Sequence, residues 1–474
     1  MNDKKKLTLL SSVIEGGYCI GCGACAILDN SPFSIKFDKY YQLQAVQTRD
    51  TEISEDMDNQ ISEVCPFSER SQNEDTISKK LFNENGIGHS GELGYFYSTY
   101  AGYVKESDYR DKGSSGGMVS WFLVELLNRK LIDGVIHVRA DKGEKMFAYT
   151  ISHSVEEVES GAKSKYYPVE MSHVLAQVKK MQGKYAIVGI PCFIKAVRLL
   201  TQKDSLLQSR IKYCIGLVCG HLKSANFARS FSWQCGIKPQ NLQSIDFRTK
   251  LSNFGANDYG VTVTGICNEK LITKTSKPVS QLFGTNWGYG FFKYKACDFC
   301  DDVLAETADI TFGDAWLPRY VNEYKGTNII VVRNSNIDNI LQNANNESRI
   351  HIEDVTEKDV IESQKGGFTH RKEDIAYRLY KLDEEGKWYP PKRIKASNTI
   401  TKKRQRIQDL RTSLAENSHN AFERAIASDN FDIFISEMDA LVKEYNLLYK
   451  LPLYRKALRK VKGRVKKIIK LIKR

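Results

Sequence analysis

The sequence predicts an α/β protein in three parts: a small cysteine-bearing segment, a mixed α/β core and a helical C-terminal extension. Three observations carry this. The first 90 residues hold four cysteines but few long apolar runs. Between about 95 and 395, short β-branched runs alternate with stretches of helical periodicity, the pattern of a largely parallel sheet covered on both faces. From about 400 onward there is no glycine until Gly463 and a single proline, Pro452. That region reads as helices extending away from the core.

The elements follow in order. A glycine-rich stretch, Gly86-Ile87-Gly88-His89-Ser90-Gly91, reads as a linker after residues 1–90. Met118 to Leu131 has helical periodicity, and Gly134-Val135-Ile136-His137-Val138 follows as a strand. Tyr185-Ala186-Ile187-Val188-Gly189 reads as a buried strand ending at Pro191. Asp309–Gly313 and Asn328–Val332 read as two more. The expected domains are 1–90, 95–395 and 400–474.

The formal charge of +13 invites a nucleic-acid reading, but its distribution argues against one. Residues 455–474 hold eleven Lys or Arg and no acid, which leaves 59 basic against 57 acidic residues before them. The body carries a net +2, too little for tight phosphate binding. In the tail, Leu458, Val461, Val465, Ile468, Ile469 and Ile472 recur at helical spacing among the cations. Such a basic amphipathic helix suits an anionic membrane surface. A solubilising tail or a helix that docks a partner is the plainer alternative, and the tail lacks aromatics for stacking on bases.

Eleven cysteines are an odd number, and they are clustered as in metal sites, which points to a reducing compartment. No apolar run is long enough to span a bilayer. Lys4-Lys5-Lys6 followed by Leu7-Thr8-Leu9-Leu10 faintly mimics a secretion signal, but Ser11, Ser12 and Glu15 break the apolar stretch. The expected location is the cytoplasm, peripheral at the inner membrane face through the tail.

Cys19-Ile20-Gly21-Cys22-Gly23-Ala24-Cys25, with Cys65-Pro66 forty residues on, offers four thiolates. That set suits a [4Fe–4S] cube, one ligand per iron, with glycines letting amides turn toward the sulfurs. Four-thiolate zinc shares the ligand set but usually comes as two CxxC knuckles. No cysteine lies between Ala26 and Ser31, so this segment is expected to hold one ferredoxin-like cluster. Cys297-Asp298-Phe299-Cys300 is a second CxxC, open to zinc, redox or cluster chemistry. Cys192 and Cys219 are candidates to complete it, with Cys214 a competitor for Cys219. Cys235 and Cys267 read as buried apolar thiols. Ser114-Ser115-Gly116-Gly117 reads on spacing alone as a flexible helix cap, and Lys163, Lys165 and Arg248 as surface charges.

Taken together, Lys112-Gly113-Ser114-Ser115-Gly116-Gly117-Met118-Val119, Leu131-Ile132-Asp133-Gly134-Val135, Lys163-Ser164-Lys165-Tyr166, Gly189-Ile190-Pro191-Cys192, Asp246-Phe247-Arg248 and Ala308–Trp316 resemble the beta subunit of the coenzyme F-420 hydrogenase/dehydrogenase family. The resemblance covers roughly residues 15–375. It implies an FAD-binding core and one or two [4Fe–4S] clusters, held by Cys19, Cys22, Cys25 and Cys65 and by Cys192, Cys219, Cys297 and Cys300. It makes Ser114, Ser115, Gly116 and Gly117 a phosphate cradle at a helix N-terminus, with Lys163, Lys165, Tyr166 and Arg248 around the FAD. Two positions depart from the family's habit: Lys163 where glycine is common, and Phe193 where glutamine often follows Pro-Cys.

The implied activity is electron passage from a ferredoxin-like donor through the clusters to FAD and on to a small organic or sugar substrate. Some bacterial members belong to surface-polysaccharide clusters. A non-catalytic electron-transfer subunit is the alternative, and no nucleic-acid partner is expected. His221 and Asp314 could donate protons, but read more simply as structural residues. For the tail, the expected outcome is that anionic liposomes float the full chain and leave behind a chain ending at residue 454. Equal flotation of both removes the anchor.

Overall fold

The computed structural model describes residues 7–48, 52–82, 87–141, 143 and 145–450. The basic stretch 455–474 lies outside the described residues, as does Gly86. Two short antiparallel hairpins come first, β1 (Phe33–Phe37) with β2 (Leu43–Gln47) and β3 (Gly88–Ser90) with β4 (Gly94–Phe96). The segment read as a linker is thus partly a strand. Then follow β5 (Ser98–Val104), β6 (Gly134–Ala140), β7 (Phe147–Ser152), β8 (Tyr185–Gly189) and β9 (Ile211–Leu217). A separate antiparallel sheet contains β10 (Leu242–Thr249), β11 (Gly260–Cys267) and β12 (Lys270–Thr275). The last strands are β13 (Ile310–Asp314), β14 (Asn328–Val332) and β15 (Ile350–Asp354).

The central sheet has eight strands in the order β15-β5-β14-β13-β9-β8-β6-β7. Neighbouring strands pair parallel only across β6, β8, β9 and β13; the pairings that involve β14, β5, β15 and β7 are antiparallel. The expectation of a largely parallel sheet therefore gives way to a mixed one. Composition explains the difference. Strands buried on both faces are continuously apolar in either direction, so Asn328–Val332 looks the same whichever way it runs.

The sheet separates two cores. Val135, Ala186, Ile215, Phe312 and Ile330 face the helices Met118–Asn128 and Ser335–Asn346. Their neighbours Ile136, Ile187 and Cys214 face the other way, into a core shared with Tyr18, Ile20, Ile61 and Val64 of the N-terminal segment. That segment is packed onto the body along its length.

The C-terminal extension is a helical hairpin, Lys402–Ala427 and Phe431–Tyr449. Thr401 caps the first helix by accepting from the Arg404 amide, and Asn430 caps the second by accepting from the Asp432 amide. Contrary to the sequence expectation, the hairpin does not extend away from the core. Ile407, Leu410, Leu414, Phe422, Phe434 and Met438 pack on Phe231, Phe291 and Phe292. Phe292 stacks on Phe434 at 5.5 Å between ring centroids and meets Phe422 edge-on at 5.2 Å. Helical periodicity shows that a face is apolar; it does not show what covers it. Phe292→Ala is expected to cost about 3–5 kcal/mol, read as a lower midpoint in urea unfolding.

Candidate functional site

The parallel strands set the site. In open α/β sheets, ligands gather at the carboxyl ends of the strands. Here β8 runs into Pro191-Cys192, β9 into Val218-Cys219-Gly220-His221, and β13 ends on Asp314. Two of the predicted cysteines and both possible proton donors, His221 and Asp314, therefore leave the same edge.

The first four cysteines surround one apolar cavity, lined also by Leu9, Val13, Ala24, Ala45 and Phe67. The loop over Cys19–Cys25 closes because Gly21 has φ +63°, and a Cβ there would lie 2.4 Å from the Leu43 carbonyl oxygen. The Cys19 Sγ accepts from the Gly21 amide at 3.4 Å and from the Ala45 amide at 3.3 Å. Cys65 ends the helix Glu55–Val64. Burial pushes the Cys65 thiol up to about 12. It raises Cys25 as well, and the charges of Cys19, Cys22 and Cys65 add to the effect. Thiolates crowded this closely in an apolar shell need a cationic centre among them, and the donor set fits a cluster.

The second group is assembled from three places. Cys192 is the second residue of the helix Pro191–Thr201, Cys219 follows β9, and Cys297 and Cys300 lie on and just after the short turn Lys295–Phe299. Burial raises the Cys192 thiol, followed in effect by Cys300, Cys219 and Cys297, and then by Cys22 of the first group. The two groups are thus neighbours. Pro66 and Phe67 share a cavity wall with Cys192 and Cys300, and Tyr149 borders both Cys192 and Cys22. The Cys297 Sγ accepts from the Leu222 amide at 3.2 Å. Cys214 lies apart, its amide donating to Asp309 at 2.6 Å. Among the described residues, no three His, Cys, Asp or Glu side chains converge to hold a single ion.

The predicted nucleotide residues also come together. Gly117, at φ +82°, begins the helix Met118–Asn128. Any Cβ there would press on the Tyr109 carbonyl at 2.6 Å. Ser114 Oγ accepts from the Ser164 amide at 2.9 Å, tying the two predicted loops together. Ser115 Oγ donates to the Thr327 carbonyl at 3.0 Å, and Lys250 Nζ donates to the Ser115 carbonyl at 3.0 Å. Burial pulls Lys250 down to about 7. Lys165 is buried against the carbonyls of Gly161, Ala162 and Lys163 and also drops to about 7, chiefly by burial. Lys163 pairs with Asp246, and its backbone stands at φ +75°. That left-handed conformation favours glycine, the residue common at this position in the family the sequence resembles.

Arg248 is 3% exposed; its Nη1 donates to Asp314 at 2.6 Å, and its Nε has no partner. Its guanidinium lies over the rings of Tyr259 and Trp316. Asp314 thus anchors Arg248, in keeping with its structural reading. Tyr166 lies edge-on to Trp287 at 5.0 Å, and Trp287 meets His221 at 4.6 Å. Trp287 therefore stands between the second cysteine group, through Gly220, and the nucleotide loops. Burial, with Lys223 adding to it, holds the His221 imidazole well below its usual range, so it is neutral. Sequence reasoning missed Lys250, Trp287 and Arg371. The glycine-flanked aromatic in Asn286-Trp287-Gly288 was the one local signal among them.

Residues 99–176 match the N-terminal part, and residues 182–358 the C-terminal part, of the coenzyme F420 hydrogenase/dehydrogenase beta subunit. The chain is 23% identical over 426 residues to a coenzyme F420-dependent sulfite reductase of Methanocaldococcus jannaschii, covering 81% of this chain and 59% of that protein. It is 25% identical over 264 residues to the coenzyme F420 hydrogenase subunit beta of Methanococcus voltae, covering 52% of this chain and 87% of that one. A chain of the F420-reducing [NiFe] hydrogenase complex from Methanosarcina barkeri aligns with a TM-score of 0.48 at 14% identity, over 63% of this chain and 97% of that one.

A Cβ on Gly116 would lie 2.7 Å from both Asn328 Oδ1 and the Gly102 carbonyl. Gly116→Ala is therefore expected to lever the loop off β5 and β14 at a cost of about 1–3 kcal/mol, read by urea unfolding.

Proposed function

The chain belongs to the coenzyme F420 hydrogenase/dehydrogenase beta-subunit family, and from that premise we propose an iron–sulfur flavoprotein oxidoreductase. It would take electrons from a ferredoxin-like donor and deliver them to an organic substrate, such as a sugar of surface-polysaccharide assembly. Cys19, Cys22, Cys25 and Cys65 would hold one [4Fe–4S] cluster, and Cys192, Cys219, Cys297 and Cys300 a second. Ser114–Gly117, Lys163, Lys165, Tyr166 and Arg248 would hold FAD. When bound, these groups supply one-electron transfer and the pairing of electrons for two-electron chemistry.

The observation that carries this reading is the order of the parts. Pro66 and Phe67, beside Cys65, share a cavity wall with Cys192 and Cys300, and Trp287, Tyr166 and Ser164 lead from Cys219-Gly220-His221 to the Ser114–Gly117 loop. The residues' own tasks follow from their settings. Amides of Gly21, Ala45 and Leu222 donate to the sulfurs and so favour thiolate over thiol. Lys250 and Lys165, half-buried and lowered chiefly by desolvation, would regain full charge beside a pyrophosphate. The unpartnered Nε of Arg248 is a donor awaiting an acceptor. Phe193 and Tyr149, stacked at 6.1 Å, place apolar rings next to Cys192.

A second reading, an electron-transfer subunit feeding a separate enzyme, draws support from two of the relatives. One is named as a subunit, and this chain spans little more than half of the sulfite reductase. Turnover of substrate by the purified chain with reduced ferredoxin separates the two readings. Anaerobic reconstitution is expected to load about eight irons, four per cysteine quartet, and one FAD per chain. A colourless protein holding only zinc sinks the proposal.

A further inference from the structure

Arg371 occupies an unusual place for a cation. It is 1% exposed, within a single wide turn at Thr369–Glu373 of the kind common at functional sites. Its Nη1 lies 3.6 Å from the Cys300 Sγ and also donates to the Asp302 carbonyl; its Nη2 donates to the Gly220 carbonyl at 2.6 Å. It reaches the Cys219 sulfur as well. The two carbonyl bonds fix the guanidinium between a residue that follows Cys219 and one that follows Cys300. Burial opposes its charge, yet the thiolates of Cys300, Cys219 and Cys297 hold it above the usual guanidinium range.

Among the described residues, no carboxylate forms an ion pair with Arg371 or with Lys223, which acts on Cys297 and donates to the Phe291 carbonyl, whereas three further cations nearby are answered. Lys293 and Arg378 face Asp298, while Arg393 faces Asp301 and Glu306. Asp301 and Asp302 push the Cys300 thiol up, against the pull of Arg371. Asp301 is matched by Arg393 and Lys392, and the Asp302 carboxylate accepts from the Leu304 and Glu306 amides. Among the described residues, the first cysteine quartet has no counterpart to Arg371. Lys195, which acts on Cys65, is paired with Glu74 at 3.2 Å.

We propose that Arg371 is a positioning residue that sets the reduction potential of the second quartet's cluster above that of the first, and so gives electron flow its direction. The inference rests on the cluster reading given above. A cluster gains one negative charge on reduction, and an uncompensated cation buried against its thiolates favours that state. Bound clusters would exchange a single electron, the one held by the first quartet losing what the one held by the second gains, so the transfer would balance without a proton or other reactant.

The test is an anaerobic redox titration followed by electron paramagnetic resonance on the reconstituted full chain, with iron content measured first. Cys25→Ser, lacking the first cluster, identifies which signal belongs to which quartet. In the unmodified chain the second quartet is expected to be reduced first. Arg371→Gln is expected to move its midpoint to more negative potential and leave the first unchanged, while Arg371→Lys retains part of the difference. An unmoved midpoint in a fully loaded Arg371→Gln overturns the proposal. If that variant does not load its second quartet, the order in the unmodified chain decides, and reduction of the first quartet before the second overturns it. A chain that binds no iron overturns instead the cluster reading on which the proposal rests.

Discussion

Everything in the candidate site depends on one packing contact: the face of the central sheet carrying Ile136, Ile187 and Cys214 buried against Tyr18, Ile20, Ile61 and Val64 of the N-terminal segment. Burying apolar area at about 25 cal/mol per Å² is what holds the first cysteine loop against the end of β8. Without that contact, Cys22 and Cys192 would sit on two separate bodies. With it, two quartets drawn from positions as far apart as Cys19 and Cys300 share one core.

Charge reinforces the same joint. Arg393 reaches Glu74 and Asp75 of the N-terminal segment and Asp301 and Glu306 of the body. Its neighbour Lys392 lies over the Phe67 ring and 3.9 Å from Asp301. An isolated surface pair contributes little, but one guanidinium shared by four carboxylates, three of them buried, is a network. It fixes the wall that Pro66 and Phe67 share with Cys192 and Cys300.

Local features were legible in the sequence. The strands over 185–189 and 328–332, the helix from Met118 and the grouping of cysteines follow from periodicity and spacing. The residues expected around one nucleotide do gather, because Ser114, Ser164, Asp246 and Arg248 are linked by direct bonds. What was not legible depends on distant partners. The direction of β14 and β5 is invisible in an apolar run, and the docking of the C-terminal hairpin depends on Phe291 and Phe292, over a hundred residues earlier. Arg371 sits between His370 and Lys372 in the sequence, with nothing in its local pattern to mark it. Lys163 shows a subtler gap: the sequence reveals a departure from glycine, while only the backbone reveals that the left-handed conformation was kept.

The Tyr18 hydroxyl donates to the carbonyl of Trp388, 370 residues further along the chain, and the two rings meet edge-on at 5.5 Å. This closure has a consequence for biosynthesis. Ribosomes release the N-terminus first, and residues 9–67 line the whole cavity of the first quartet, yet Tyr18 on its wall cannot be packed until Trp388 has emerged. With contacts of such long sequence separation, the final core forms late. The ring of Tyr18, one wall of the first quartet's cavity, therefore stays uncovered through most of translation, and a metal delivered early meets a cage whose outer brace is still missing.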